Sequence, residues 1–341
     1  MTRVAVVGAG VIGLAAAWRL CRKGLEVTVF DATDRCGGRV ASAEFSGRLV
    51  DTGPDALGPG PAIEELLEQI GMQDQIEVPD PAQAFRLTAS GALEPFSLGD
   101  GAMFGLAGGI FTLPPRLEAA LEEGGADFRL GTPVESVDGR EDQVLLRCET
   151  EESFDFVVIA TGARAAATVI QGSASRKLAG IDGVSVTLVH LAIPTGQIGR
   201  EMNGTGYLAD PAEGRVVTGC SWSSAKWKRL AGEPAILRAS IRETGQGEVI
   251  RTRDADIVAR VMVELGPVME LEGEPVETMV TRHPAALVVR GEEHAARVRA
   301  ARDALGRRTR IALVGADLDG PGISRSIGGL RQTVDAIIEG N

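Results

Sequence analysis

The chain has 341 residues, 44% of them hydrophobic, which is enough to build two closely associated domains around a sizeable core. Its 47 acidic residues outnumber 35 lysines and arginines, and the resulting formal charge of −12 disfavours nucleic acid or an anionic lipid surface as a partner. Four cysteines without a C-x-x-C pair and three scattered histidines lack the spacing of a disulfide framework or a metal site.

The first predicted elements form a dinucleotide-binding unit. An apolar strand over residues 4–7 runs into the pattern G-x-G-x-x-G of Gly8, Gly10 and Gly13, and a helix is predicted over residues 12–22. Gly8 permits the tight turn, Gly10 lets the backbone approach a pyrophosphate, and Gly13 lets the helix pack closely on the strand. The N-terminus of the helix would point its free N–H groups at the phosphates.

A second predicted strand, over residues 25–30, ends at Asp31. A carboxylate at this offset is the group that hydrogen-bonds a ribose hydroxyl in dinucleotide sites. Cleavage within the uncharged stretch of residues 4–18 would destroy this unit, and the stretch is too short to span a bilayer. We therefore expect neither a signal peptide nor a membrane span, and a cytoplasmic location.

The remaining elements are predicted from hydrophobic periodicity and from turn residues. Helices are expected over residues 61–71, 115–123 and 254–265, the last ended by Gly266 and Pro267. Strands are expected over residues 85–87, 92–96, 157–160, 183–193, 206–209 and 216–222. The C-terminal helix carries a core-facing stripe at spacings of three and four, formed by Ile323, Ile327, Leu330, Val334 and Ile337.

The segment after Asp31 resembles a flavin fingerprint. Residues 34–39 read D-R-C-G-G-R and residues 50–55 read V-D-T-G-P-D. These runs are similar to the second half of the FAD motif in the superfamily of monoamine oxidase, phytoene desaturase and protoporphyrinogen oxidase. In that superfamily the G-G-R turn lies along the pyrophosphate and the next glycine turn reaches the flavin end. A guanidinium such as that of Arg39 offers a planar fork to phosphate oxygens.

Later segments resemble the oxygen-dependent protoporphyrinogen and coproporphyrinogen oxidases of that superfamily. They comprise residues 206–211 with 218–227, residues 282–287 with His294 and Arg297, and residues 311–315 with 320–323. Members of this group carry a long helical insertion that roofs the substrate cavity. In this chain only a short stretch separates the first flavin segment from Gly105, so most of that insertion is absent.

The resemblance implies an α/β fold: a Rossmann-like FAD-binding domain of the GR2 type, interleaved with an α+β substrate domain on a mixed sheet. We expect the FAD-binding domain over residues 1–75, 112–180 and 277–341, and the substrate domain over 76–111 and 181–276. The cofactor implied is noncovalent FAD. The residues implied to bind it are Gly8, Gly10, Val11, Ile12, Gly13, Asp31, Ala32, Gly38, Arg39, Gly53, Pro54, Asp55, Val134, Thr161, Gly162, Gly315, Pro321, Gly322 and Ile323.

Two residues depart from the family pattern near the flavin. His283 stands where the family has Trp and Arg290 where it has Tyr, so both are candidate catalytic residues; the alternative is an ion pair or a solvated rim. Arg290 suggests a substrate anion, and a single tyrosine argues against the two-aromatic cage of many amine oxidases. His190 is interpreted as a buried core histidine, and Lys226 as a structural lysine rather than one that holds water near the flavin.

The function predicted is hydride transfer from a small, anionic or nitrogen-containing substrate to flavin N5, with reoxidation by O2. A genuine porphyrinogen oxidase with an open or partner-completed site is one alternative. A flavoprotein whose FAD is structural or performs no net redox step is another, and renalase-like proteins are a further analogy. Beyond the small-molecule substrate and O2 we expect no nucleic-acid or membrane partner, and a homodimer is left open.

Overall fold

The computed structural model describes residues 1–97, 103–210, 213–244, 248–306, 310–320 and 322–339. The strands are numbered β1–β19 and the helices α1–α10 in chain order. The first layer is a five-stranded parallel sheet with the order β19-β13-β1-β2-β9. Its strands are β1 (Arg3–Val7), β2 (Glu26–Phe30), β9 (Asp127–Arg129), β13 (Phe156–Ile159) and β19 (Ile311–Leu313).

This parallel sheet is covered on both faces, which is why β1 and β13 are almost continuously apolar. Val4, Val6 and Val158 pack against α1 (Val11–Cys21), α2 (Pro61–Gln69), α3 (Leu113–Glu123) and α10 (Ile323–Glu339). Ala5 and Val157 face the opposite layer, which contains α4 (Ala163–Val169), α5 (Gly172–Ala179) and α8 (Glu292–Leu305). The carboxyl ends of the strands are left open to the second sheet.

The second layer is a seven-stranded mixed sheet with the order β18-β14-β17-β16-β15-β6-β7. Its pairs are antiparallel except for β15 and β6, which run parallel. Its strands are β6 (Ala84–Leu87), β7 (Leu93–Phe96), β14 (Gly183–Ile193), β15 (Gly206–Ala209), β16 (Gly219–Ser221), β17 (Ala235–Thr244) and β18 (Glu277–Val288). Together the two sheets give the predicted fold class, a Rossmann-like unit with an interleaved mixed-sheet unit.

Smaller elements complete the structure. A three-stranded antiparallel sheet contains β10 (Ser136–Gly139), β11 (Val144–Arg147) and β12 (Glu151–Phe154), and two-stranded sheets pair β3 (Ser42–Phe45) with β4 (Arg48–Asp51) and β5 (Ile76–Glu77) with β8 (Gly105–Leu106). The other helices are α6 (Ser223–Lys226), α7 (Asp254–Met269) and α9 (Ala316–Asp319). Within the described residues, no helix combines the length and apolar character needed to cross a membrane.

Strand pairing places β18 in the seven-stranded sheet, although the expected domain boundary lies at its first residue. The predicted FAD-binding segment resumes at residue 277, but β18, which starts there, pairs with β14 of the seven-stranded sheet along its length. The two strands pair from Glu277 opposite Ala192 to Val288 opposite Gly183, so β18 is hydrogen-bonded to β14 from end to end. The chain therefore returns to the parallel sheet only after β18.

Helix α7 is longer than predicted. The expected end at Gly266 and Pro267 is wrong, because the helix continues to Met269 and is capped by Glu270, whose φ of 53° is left-handed. Val268 and Met269 are buried beneath the mixed sheet. Burying two such side chains contributes about 3–6 kcal/mol, which offsets the roughly 3 kcal/mol cost of proline within a helix. The strand expected over residues 216–222 is also shorter, and spans Gly219–Ser221.

Candidate active site

A cavity of about 1850 Å³ lies between the carboxyl edge of the parallel sheet and one face of the mixed sheet. It is larger than the roughly 300–1,000 Å³ of a typical small-ligand site, so there is room for a cofactor and a substrate together. One wall is formed by the segments that follow β1, β2, β13 and β19, among them Gly10, Asp31, Thr161 and Gly315. Ligands of open α/β sheets bind at this edge.

The glycine loop has the geometry of a phosphate cradle. A Cβ placed on Gly13 would lie 1.8 Å from the Gly8 carbonyl oxygen, so helix α1 can pack this closely only on glycine. Gly10 is different, because its backbone is extended (φ −67°, ψ 166°) and a Cβ there would meet no atom of the described residues within 4 Å. The open space in front of Gly10 is therefore available to a ligand.

Asp31 is held in place at the end of β2. One carboxylate oxygen accepts the Ala9 N–H at 2.7 Å, and the other accepts the N–H and hydroxyl of Thr33 at 2.8 and 2.7 Å. The residue lines the cavity, and a carboxylate has about four acceptor positions, so capacity remains for a ribose hydroxyl.

Thr161 gives independent support for a ligand at this wall. Thr161 lines the cavity, and its hydroxyl oxygen is buried and has no hydrogen-bond partner in the part of the chain that the structure describes. Buried polar atoms are nearly always paired, so an unpaired one at a cavity wall fits a polar ligand such as a dinucleotide.

Most of the other residues predicted to bind FAD also line this cavity. They are Gly8, Val11, Ile12, Gly38, Arg39, Gly53, Pro54, Asp55, Gly162, Gly315, Gly322 and Ile323. The Arg39 guanidinium donates to the Ala286 carbonyl, which fixes it across the gap between the two sheets. Gly13, Ala32 and Val134 are not among the described lining residues. Gly13 lies against the Gly8 carbonyl, Ala32 is exposed, and Val134 packs against the core beside the parallel sheet. Pro321 lies outside the described residues.

A buried ion cluster forms the inner end of the cavity. One Asp55 oxygen lies 2.6 Å from the Arg238 guanidinium. The other lies 3.2 Å from Lys226 Nζ, 3.3 Å from the Ser221 hydroxyl and 3.5 Å from Trp227 Nε1. Burial alone would raise the pKa of Asp55, but Arg238 and Lys226 outweigh it and hold that pKa well below its ordinary value.

Lys226 belongs to the cavity as well as to this cluster. Burial lowers its pKa, and the neighbouring Asp55 carboxylate opposes that shift. Its side chain is only 11% exposed and nonetheless lines the cavity. The interpretation of Lys226 as a purely structural residue stays a prediction, and the ion pair with Asp55 is compatible with it.

Behind this wall lies a second buried polar group. Asp51 forms an ion pair with Arg229 and accepts the Phe111 N–H at 3.0 Å, while burial raises its pKa to about 6. His190 is only 1% exposed, and its Nδ1 has no partner in the described chain. Burial, with the charge of Arg238, lowers the pKa of His190 to about 3, so the ring is neutral.

The two candidate catalytic residues lie in different surroundings. His283, on β18, lines the cavity, and its Nε2 lies 2.6 Å from the Thr52 carbonyl oxygen. Arg290 follows the end of β18, is exposed, and donates to the Ala316 carbonyl; it is not among the described residues that line the cavity. The expected substrate contact of Arg290 therefore has no support from this placement.

Sequence reasoning missed Arg238 and Arg242, which both line the cavity from β17. In that strand Arg238, Ser240 and Arg242 alternate with Leu237, Ala239 and Ile241, which are buried. This period-two pattern was available in the sequence. It would ordinarily predict a solvent-facing side, and only the position of the sheet turns that side towards a site.

Comparison with known proteins agrees with the geometry. The family model described as flavin containing amine oxidoreductase matches residues 13–98 and 92–317. A coproporphyrinogen III oxidase of Bacillus subtilis is 30% identical over 172 residues, which are 50% of this chain and 37% of that protein. The match therefore spans little more than a third of that relative's length. A coproporphyrinogen III oxidase of Staphylococcus aureus is 22% identical, with 83% of this chain and 87% of that protein covered.

The fold is also shared with a solved structure. A crystal structure of a candidate protoporphyrinogen oxidase from Exiguobacterium sp. 255-15 superimposes with a TM-score of 0.85, covers 99% of both chains and is 18% identical. At that identity the likeness establishes the fold. Because the family model covers most of the chain, the chain belongs to the flavin-containing amine oxidoreductases, a family of FAD-dependent oxidoreductases.

Proposed function

We propose that the protein is an FAD-dependent oxidase or dehydrogenase that removes a hydride from a small organic anion. The observation that carries this proposal is that one cavity joins a dinucleotide cradle to a wall bearing Lys226, Arg238 and Arg242. The cationic wall is notable in a chain with a formal charge of −12, because the surrounding surface would not by itself attract an anion.

Binding of the cofactor is assigned to the loop residues. The N–H groups at the start of α1 and the Arg39 guanidinium would hold the pyrophosphate, and Asp31 would accept a ribose hydroxyl. Bound FAD supplies a hydride acceptor and a route by which electrons pass to O2. O2 as the electron acceptor is part of the proposal.

His283 is the residue of the chain best placed to hold or move a proton. Because the Thr52 carbonyl can only accept, the 2.6 Å contact requires His283 Nε2 to carry the hydrogen. Nδ1 is then the nitrogen left for a second contact, in a residue that lines the cavity. We propose that His283 Nδ1 exchanges a proton with the substrate or with the reduced cofactor.

Oxidation of a porphyrinogen is a second candidate. The relatives in Bacillus subtilis and Staphylococcus aureus are coproporphyrinogen III oxidases. A cavity of about 1850 Å³ is also large enough to hold a bulky substrate. The short segment that replaces the family's helical insertion favours the smaller substrate, because a large ring would be poorly enclosed. A flavin without net redox turnover is the alternative from another class.

An anaerobic screen separates these functions. Purified holoprotein is mixed without oxygen with porphyrinogens, amines, amino acids and other small acids, and reduced nicotinamides, and the loss of flavin absorbance is followed. We expect bleaching by one or more organic acids, then peroxide formation when air is admitted. Bleaching by porphyrinogens alone would favour the second candidate, and failure of every donor with chemically reducible bound FAD would favour a non-redox flavin.

A further inference from the structure

We propose that Lys226 is the anion-binding residue of the substrate site, with Arg242 as a second cation at the outer end of the same wall, and that the substrate is a carboxylic acid with an apolar body. This proposal rests on the proposed function and specifies its substrate class.

With Lys226 protonated, the inner cluster carries more positive than negative charge. Lys226 and Arg238 face a single carboxylate, that of Asp55, and the three side chains are only 11%, 13% and 13% exposed. The neighbouring pair of Asp51 and Arg229 contributes no surplus anion when both are ionised. An unmatched charge in a poorly solvated wall is unfavourable until an anion approaches, so the cluster is suited to bind one.

Lys226 retains free hydrogen-bond donors within this cluster. The Arg238 guanidinium uses two of its five N–H donors on Asp55 and on the Gly53 carbonyl, the latter 2.8 Å away. The Lys226 ammonium has three donors, and within the described chain Asp55 is its one hydrogen-bond partner, at 3.2 Å. Lys226 lines the cavity, so its remaining donors can serve a ligand there. Asp55 acts as a positioning residue that holds the ammonium in place, and Arg238 in turn holds the Asp55 carboxylate.

Strand β17 extends this cationic wall outward. Arg242 lies four residues beyond Arg238 on the same strand face, which corresponds to about 13 Å of strand. It is exposed at the cavity wall, and within the described chain its guanidinium has no hydrogen-bond or ion-pair partner. A long-range attraction of anions towards the inner cluster is the expected effect of such a charge.

The adjacent strand supplies an apolar surface. Val186 and Leu188 of β14 line the cavity beside β17, with Val186 directly opposite Arg242 in the strand register. A ligand with a carboxylate and an apolar body can therefore contact both strands at once. A cationic amine would be repelled by Lys226 and Arg242, so the site selects against amines although the family is named for them.

The test uses holoprotein and three probes of similar shape: benzoate, uncharged benzamide and cationic benzylamine. Binding is measured by calorimetry and by perturbation of the flavin spectrum. We expect benzoate to bind at least 10-fold more tightly than benzamide, and benzylamine to bind more weakly than both. Lys226→Met should weaken benzoate about 10- to 150-fold, the loss of one charge-assisted contact, and leave benzamide unchanged.

Matched variants control for the removal of a charge. Lys228→Met changes an exposed lysine two residues away that is not among the described lining residues, and benzoate affinity should not change. Arg242→Gln should weaken benzoate and flatten the dependence of its affinity on salt, whereas Arg260→Gln, on the exposed side of α7, should do neither. Lys226→Arg should restore part of the affinity.

Two results would overturn the anion site: equal affinities for benzoate and benzamide, or full benzoate affinity in Lys226→Met that retains FAD. If Lys226→Met loses FAD or does not fold, unchanged benzoate binding and salt dependence in Arg242→Gln would overturn it instead. Protein that binds benzoate selectively but is reduced by no donor would keep the anion site and refute the proposed oxidase, so the two failures can be told apart.

Discussion

Exchanging two glycines of the same loop should separate cofactor binding from folding. In Gly13→Ala the new methyl group would lie 1.8 Å from the Gly8 carbonyl oxygen, whereas real Cβ contacts stay beyond 3.0 Å. Helix α1 must therefore move by about 1 Å, and overpacking of this kind costs about 1–3 kcal/mol. In Gly10→Val the added Cβ would meet no atom of the described residues within 4 Å and the backbone is already extended, so the unfolding free energy of the flavin-free protein should change less than in Gly13→Ala, by about 0.5 kcal/mol.

Stabilisation by the cofactor, in contrast, should be lost in Gly10→Val. Added FAD at 100 times its dissociation constant should stabilise the wild-type protein by about 2.7 kcal/mol, and should not stabilise Gly10→Val because the valine occupies the pyrophosphate position. Urea unfolding of deflavinated protein, with and without added FAD, measures both quantities. Full stabilisation of Gly10→Val by FAD would refute the assignment of this loop to the pyrophosphate, and an unaltered Gly13→Ala would refute the packing argument.

Three further predictions concern titrating and paired groups. His190 is neutral in the folded protein because its pKa falls from 6.5 to about 3, so the unfolded chain binds the extra proton as the pH drops. The contribution of the neutral His190 ring to the free energy of unfolding should be complete above pH 6.5. It should fall towards pH 3 by up to about 1.4 kcal/mol per pH unit relative to His190→Gln. Parallel pH profiles of the two proteins in chemical denaturation would contradict this. Asp51→Ala should destabilise by about 3 kcal/mol because it leaves the Arg229 charge without its buried partner, and a change below about 1 kcal/mol would show that the pair is not important. His283→Phe should alter the pH dependence of anaerobic flavin reduction more than substrate affinity; identical profiles in stopped-flow reduction would remove His283 from proton transfer.

The nucleotide unit could be predicted because its determinants are local. The glycine spacing, the burial of β1 and the acid after β2 lie within the first 31 residues, and the observed α1, Val11–Cys21, begins and ends one residue from the predicted helix. The extension of α7 through Pro267 could not be read in the same way. It depends on whether Val268 and Met269 find a core, which is decided by distant strands.

The cationic wall of the cavity could not be predicted from the sequence for a similar reason. Arg238 meets Asp55 only because β17 crosses the cavity opposite the loop after β4, from a distant part of the sequence. Resemblance also directed attention to Arg290, whose guanidinium in the structure donates to Ala316 beyond the end of β18. A motif assigns a residue to a position in the chain, whereas the direction of its side chain depends on the neighbouring backbone.

Extraction of the nucleotide from purified protein tests the central claim most directly. The account predicts a yellow protein that releases, on acid or heat treatment, one FAD per folded chain and no covalently attached flavin, because the Gly10 cradle, Asp31 and Thr161 all face one dinucleotide-sized cavity. Well-folded protein that releases NAD, or that neither carries a flavin nor takes up added FAD, would contradict the assignment of the cavity and with it the proposed oxidation.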